Sequence, residues 1–130
     1  MGRSPIKSAF LVCGLAAAAL FAGSARADGN AANGAIYFKT RCMPCHNAAR
    51  DAGAKVGPNL FGVYGRAAAS APGFNFSAAM KASHLVWTAD KLKLFLANPR
   101  AVVPVTKMTF AGIRREQDLA DVIAYLATLK

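Results

Sequence analysis

The chain has 130 residues and a formal net charge of +10, from 16 basic and 6 acidic residues. This is one domain's worth of sequence, with a surface that attracts acidic partners. Nucleic acid would compete for such a surface, but the basic residues are dispersed, with no long Lys/Arg block and no nucleic-acid-binding motif.

At the amino terminus, Arg3 and Lys7 form a charged n-region, and residues 9–22 form an apolar run too short to span a bilayer comfortably. Ala25-Arg26-Ala27 is a small-x-small cleavage site. The sequence therefore predicts a signal peptide over 1–27 and a mature domain over 28–130. A retained anchor is the alternative, and the short run with its Gly23-Ser24 break argues against it. Cys13 leaves with the leader; a lipoprotein cysteine would follow a small residue, and Val12 is not one. Cleavage leaves 103 residues with 13 of the basic side chains and all 6 acidic ones, a net charge of +7. A chain of that length buries an adequate but modest core by itself.

The mature part opens on a predicted helix from Asn30 to Arg41, with Asn30 or Asn33 as the cap and Ile36-Tyr37-Phe38 as its apolar centre. Gly34 and Phe38 share one face, where the glycine permits close approach of another helix. The helix delivers Cys42-Met43-Pro44-Cys45-His46. C-x-x-C-H is the attachment motif of c-type haem. The two thiols add to two vinyl groups, and the imidazole that follows coordinates the iron from one face. Cys42, Cys45 and His46 take those roles. A zinc site would need a fourth ligand, adjacent Cys45 and His46 rarely chelate together, and His84 is the only other histidine. A thioredoxin-like motif belongs to a βαβ pattern that this chain does not offer. Because c-type haem is attached after the apoprotein has crossed a membrane, leader and motif together predict an exported protein of the bacterial periplasm.

Residues 47–59 read as a loop, with Gly53, Gly57 and Pro58, and Gly62, Gly65, Pro72 and Gly73 continue it. A short helix is expected from Ser77 to Ala82. Thr88 to Leu96 has the cap and periodicity of a helix that ends at Asn98-Pro99. Residues 100–112 read as an extended loop around Pro104. The last helix runs from about Arg115 to Leu129, with Leu119, Val122, Ile123 and Leu126 as its buried stripe. The fold class is all-α.

The second face of a haem held by His46 separates an electron carrier from a ligand-binding or catalytic haem. Met43 lies inside the attachment motif and cannot reach round the ring. Met108, in the irregular loop after Pro104, is the favoured ligand; Met80, His84 and an open position are the alternatives.

The chain resembles the class I cytochromes c of mitochondrial type, a group that includes soluble bacterial relatives. The resemblance spans residues 30–130. It rests on Gly34-x-x-x-Phe38 ahead of the attachment motif, Gly57-Pro-Asn-Leu60, Gly65-Arg66, Ala71-Pro-Gly-Phe74, Trp87, Asn98-Pro99, Pro104-x-Thr-Lys-Met108-x-Phe-Ala-Gly112 and Ala124-Tyr-Leu126. It implies that one covalent haem c is wrapped by helices and loops, with Met108 as the sulfur ligand. It also implies that the Pro58 carbonyl accepts the other N–H of His46, that Arg66 and Trp87 contact the haem propionates, and that Thr106 joins the same polar network. Gly34, Phe38, Val122 and Tyr125 would form the crossing of the first and last helices. Phe76 and Phe95 stand where the family commonly has tyrosine, and Met80 where it commonly has asparagine.

The function expected on these grounds is a soluble, monomeric periplasmic carrier of one electron, with no enzymatic activity and no nucleic-acid partner. Arg41, Lys55, Arg100, Lys107, Arg114 and Arg115 match docking positions around the haem edge. The partners would be acidic faces of a quinol–cytochrome c reductase, a terminal oxidase, a photosynthetic reaction centre or a periplasmic dehydrogenase. A haem enzyme or gas-binding protein, with an open sixth position, and a haem-free thiol-exchange protein are the competing classes.

Overall fold

A computed structural model describes residues 1–2 and 28–130; the predicted leader, apart from its first two residues, lies outside the described residues. Among the described residues five helices follow one another: α1 (Ala31–Arg41), α2 (Ala78–Ala82), α3 (Ala89–Ala97), α4 (Pro99–Val102) and α5 (Glu116–Thr128). Among the described residues there is no strand, only an isolated antiparallel bridge between Ala67 and Val86. The all-α class is as predicted.

Capping side chains start α1 to α4, whereas α5 begins at Arg115 with no side-chain cap. Asn30 is extended (φ −97°, ψ 109°), and its side chain accepts the backbone N–H groups of Ala32 and Asn33. Ser77 accepts the N–H of Met80, and Thr88 accepts that of Lys91. Each bond satisfies a donor that the first helical turn would otherwise leave unpaired. Helix α4 falls where the sequence predicts extended loop. Asn98 ends α3 and also caps α4, accepting the N–H of Ala101, while Pro99 supplies the first helical position. A helix of four residues is too short to show an apolar period, so only this cap could have announced it.

Helices α1 and α5 cross in close contact. A Cβ built on Gly34 would run into the Asp121 backbone carbonyl and lie 2.8 Å from the Tyr125 Cβ, so the crossing needs glycine there. One turn on, Phe38 is 1% exposed and its ring stands 5.1 Å from that of Tyr125. On α5, Leu119, Val122 and Leu126 are buried as expected, whereas Ile123 is only half-buried. They join Leu92, Phe95 and Leu96 of α3 in one apolar cluster, each large side chain contributing roughly 1.5–3 kcal/mol when removed from water.

Asp121 is a buried acid within this crossing, 5% exposed. It accepts the backbone N–H of Asn30 and the side-chain amide of Gln117, both at 2.7 Å. The Asn30 bond, and then the Gln117 bond, hold its carboxyl below the ordinary carboxylate value. A depressed pKa contributes stability that is present above the unfolded-state value, about 4, and is lost as pH falls through the folded-state value. Asp121→Asn is therefore expected to melt earlier at neutral pH and to lose less stability on acidification. Thermal unfolding followed from neutral to acid pH checks this. Parallel curves for the two proteins would mean that the bond to Asn30 carries no acid dependence.

Candidate haem site

The attachment motif is shaped by the end of α1. The N–H groups of Cys42 and Met43 both donate to the Phe38 carbonyl, and those of Cys45 and His46 both donate to the Cys42 carbonyl. This tight turn leaves both thiols free and buries His46 to 8% exposure. The His46 Nδ1 lies 2.8 Å from the Pro58 carbonyl oxygen. A carbonyl can only accept, so Nδ1 carries the hydrogen and Nε2 keeps its lone pair for a metal. Burial, followed by the nearby charge of Lys55, lowers the His46 pKa, partly countered by the Pro58 bond; the neutral imidazole that a metal requires is favoured.

Gly57 backs the ring. A Cβ there would lie 2.5 Å from the His46 Cε1 and 2.8 Å from its Nδ1. The Gly57 N–H donates to the Cys45 carbonyl at 2.8 Å, so the loop is tied to the motif from behind. Lys55, expected on the docking face, is exposed and donates its ammonium to the Met43 carbonyl, 2.7 Å away.

In front of His46 is a cavity of about 240 Å³. Cys42, Cys45, His46, Pro58, Trp87, Thr106 and Met108 all line it. So do the apolar side chains of Phe38, Leu60, Val63, Phe95 and Leu126, drawn from three helices and a loop. Met80 also lines the cavity, whereas exposed His84 does not. Arg66 is not among the lining residues. Its guanidinium donates to the carbonyls of Phe61 (2.7 Å) and Asn59 (3.1 Å), and its buried Nε has no partner.

These features fit a covalently held haem. The walls are apolar, two thiols and a lone-pair nitrogen converge on the cavity, and a thioether sulfur stands in the same lining. They suit thiol exchange poorly. Burial, and then the neighbouring Cys45, push the Cys42 thiol up to about 11, with Arg41 only partly opposing, whereas an exchanging cysteine needs a lowered pKa. Among the described residues no three His, Cys, Asp or Glu side chains gather as a metal cluster.

The three departures from the usual pattern have structural settings. Phe95 is buried, and its ring lies 4.9 Å from that of Trp87. Phe76 stands edge-on to Phe74 at 4.9 Å, and Met80 is buried in the core cluster. Each is accommodated by apolar neighbours. Lys107, a second expected docking residue, donates to the Asn75 carbonyl and lies 6.0 Å over the Phe74 ring. Asn75 is 32 residues away in sequence, so no local signal could have shown this tether.

Comparison with known proteins places these features in a family. A cytochrome c from Theileria annulata is 46% identical over 99 residues, covering 76% of this chain and 85% of its own length. One from Sesamum indicum is 43% identical over 98 residues (75% and 88%), and one from Gibberella zeae is 42% identical over 100 residues (77% and 94%). These relatives correct the expected location. They come from eukaryotes, whose cells have no periplasm, and they point to the mitochondrial intermembrane space instead. The physical reason for the error is that a charged, apolar leader reports passage across a membrane but not which membrane. Residues 31–130 match the family model described as cytochrome c, and the chain belongs to the cytochrome c family, electron-transfer proteins that carry a covalent haem c and are not enzymes.

Proposed function

We propose that the iron is held by His46 on one face and by the sulfur of Met108 on the other, with Cys42 and Cys45 as the thioether links. The observation that carries this reading is the bond from His46 Nδ1 to the Pro58 carbonyl, which leaves Nε2 for a metal beside a cavity that Met108 also lines. The haem iron supplies the one-electron ferric/ferrous couple. His46 and Met108 would both hold the iron, so that little rearrangement would accompany transfer, and the apolar walls of the pocket would exclude water. Pro58 fixes the imidazole. Thr106, whose hydroxyl accepts the Met108 N–H at 3.3 Å, orders the methionine loop. Trp87 and Arg66 serve the propionates, Arg66 with its unpartnered Nε. The absorption spectrum of the ferric protein tests the axial set, because methionine ligation gives a weak far-red band that histidine or water ligation does not.

The partners we infer are acidic docking faces of redox proteins such as a quinol–cytochrome c reductase, a terminal oxidase or a reaction centre, met by a monomer. Residues 1–27 are read as a leader that is removed, and the family match begins at residue 31. With Lys55 and Lys107 tied to backbone carbonyls, exposed Arg100 is the better probe of docking; it lies beside Thr109 and Phe110, which also line the haem cavity. Arg100→Glu is expected to slow second-order electron transfer to an acidic partner severalfold at low salt and to flatten the ionic-strength dependence, since exposed charges are screened beyond about 8–10 Å at physiological salt. Stopped-flow rates against salt, with the haem spectrum as a control, provide the check. An unchanged low-salt rate would move the docking face elsewhere.

A further inference from the structure

The segment that carries Met108 begins with a tight turn. The Thr106 N–H donates to the Val103 carbonyl at 3.2 Å, which makes Pro104 and Val105 the two central residues. Proline fixes its own φ near −65°, which suits the first central position of either common turn type; the positive φ of the residue after it makes this a type II turn, in which glycine or asparagine normally fills that second position. Here it is Val105, at φ 59°. A β-branched side chain is poorly tolerated in that region, because its Cβ substituents crowd the backbone. Among the described residues the other non-glycine residues with positive φ are Ala69 and His84, neither of them β-branched. Nor does packing compensate, since Val105 is 85% exposed.

The strained conformation persists because the segment is fixed on both sides. Val103 is 1% exposed and its N–H donates to the Pro99 carbonyl at 2.9 Å. Downstream, Lys107 is tethered to Asn75, and the Ile113 N–H donates to the Leu96 carbonyl at 2.8 Å. Surroundings that over-determine a strained residue are what allow it to survive. If the tethers between these fixed points let go, Val105 relaxes to the extended region and the strain is released.

We infer that Val105 is a positioning residue that keeps the Met108 loop under tension and makes the sixth coordination position easier to open than the rest of the fold would allow. This deepens the proposed function and rests on its reading of Met108 as the sulfur ligand. The cost of holding an L-residue in the left-handed region corresponds to a change of roughly tenfold in the balance between closed and open loop, and the apparent affinity of any external ligand for the sixth position scales with the open fraction.

The test uses the ferric holoprotein and imidazole as the external ligand. Val105→Gly and Val105→Asn both tolerate a positive φ. Glycine also loosens the open chain, which asparagine does not, so agreement between the two isolates the strain. Val105→Thr keeps the branch as a control. Imidazole affinity is expected to fall roughly three- to tenfold in the Gly and Asn variants, with the far-red methionine band persisting to higher denaturant, and to stay unchanged in the Thr variant. Unaltered imidazole affinity with the methionine band present, whether or not global unfolding shifts, would overturn the inference and leave the Met108 assignment standing. A wild-type ferric protein with no methionine band would overturn both.

Discussion

Met108→Ala is expected to retain its haem, because attachment uses only Cys42, Cys45 and His46, and to lose the far-red methionine band. The side chain lines the cavity from a loop and is half-buried, so its removal opens the sixth position more than it unpicks the core. Water or added imidazole should bind there, and peroxidase-like reactivity should rise. The large effect is therefore on ligand binding: imidazole no longer has to displace an internal ligand, and its affinity should increase by a factor of ten or more, corresponding to at least about 1.4 kcal/mol. Spectrophotometric titration of the ferric variant is the measurement. A variant that kept the band and bound nothing would transfer the ligand role to Met80, the other methionine in the described lining apart from Met108.

Gly57→Ala should do comparable damage on the opposite face. The added methyl would lie 2.5 Å from the His46 Cε1 and 3.0 Å from its Nε2. The imidazole cannot swing aside without giving up its bond to Pro58, and that bond fixes both its tautomer and its direction. Either the ring or the 55–58 segment must shift, at a cost of about 1–3 kcal/mol for overpacking a tight site. The expected outcome is a lower yield of protein with attached haem, a perturbed ferric spectrum and earlier thermal unfolding. Gly53→Ala is the matched control, because a Cβ at Gly53 meets nothing within 4 Å. Equal yields and spectra for the two variants would mean that the loop, not the ring, absorbs the methyl at no cost.

The two results together would separate the roles of the two proposed iron ligands. Loss of the methionine leaves a protein that still holds its haem but no longer guards the sixth position. Displacement of the imidazole disturbs the side on which attachment and coordination are built from five consecutive residues. An electron carrier needs both faces closed, since a vacant position invites ligand binding and large rearrangement on reduction.

What the sequence by itself determined was local. Cys42, Cys45 and His46 are adjacent in the chain, so their spacing already specifies the attachment chemistry. Asn30, Ser77 and Thr88 cap their helices through bonds to residues only two or three positions ahead, and α5, which has no side-chain cap, shows a helical apolar stripe, which is why four helices could be placed without any tertiary information, while α4, with its single turn, could not. Where the chain resides was not legible, because a leader encodes translocation rather than destination. The tertiary structure decided whatever joins distant segments. The bond from Asn30 to Asp121 spans 91 residues and holds a buried acid that lies outside the apolar stripe predicted for this helix. Lys55 and Lys107 are ordinary surface cations in sequence, and only the fold brings the Met43 and Asn75 carbonyls within reach of their ammonium groups. Only the fold shows that two of the guanidinium nitrogens of Arg66 go to the Asn59 and Phe61 carbonyls and that its Nε is left without a partner. The tension at Val105 is likewise invisible in a propensity scale. It exists because Pro104 fixes one dihedral while the anchors on either side of the turn dictate the next.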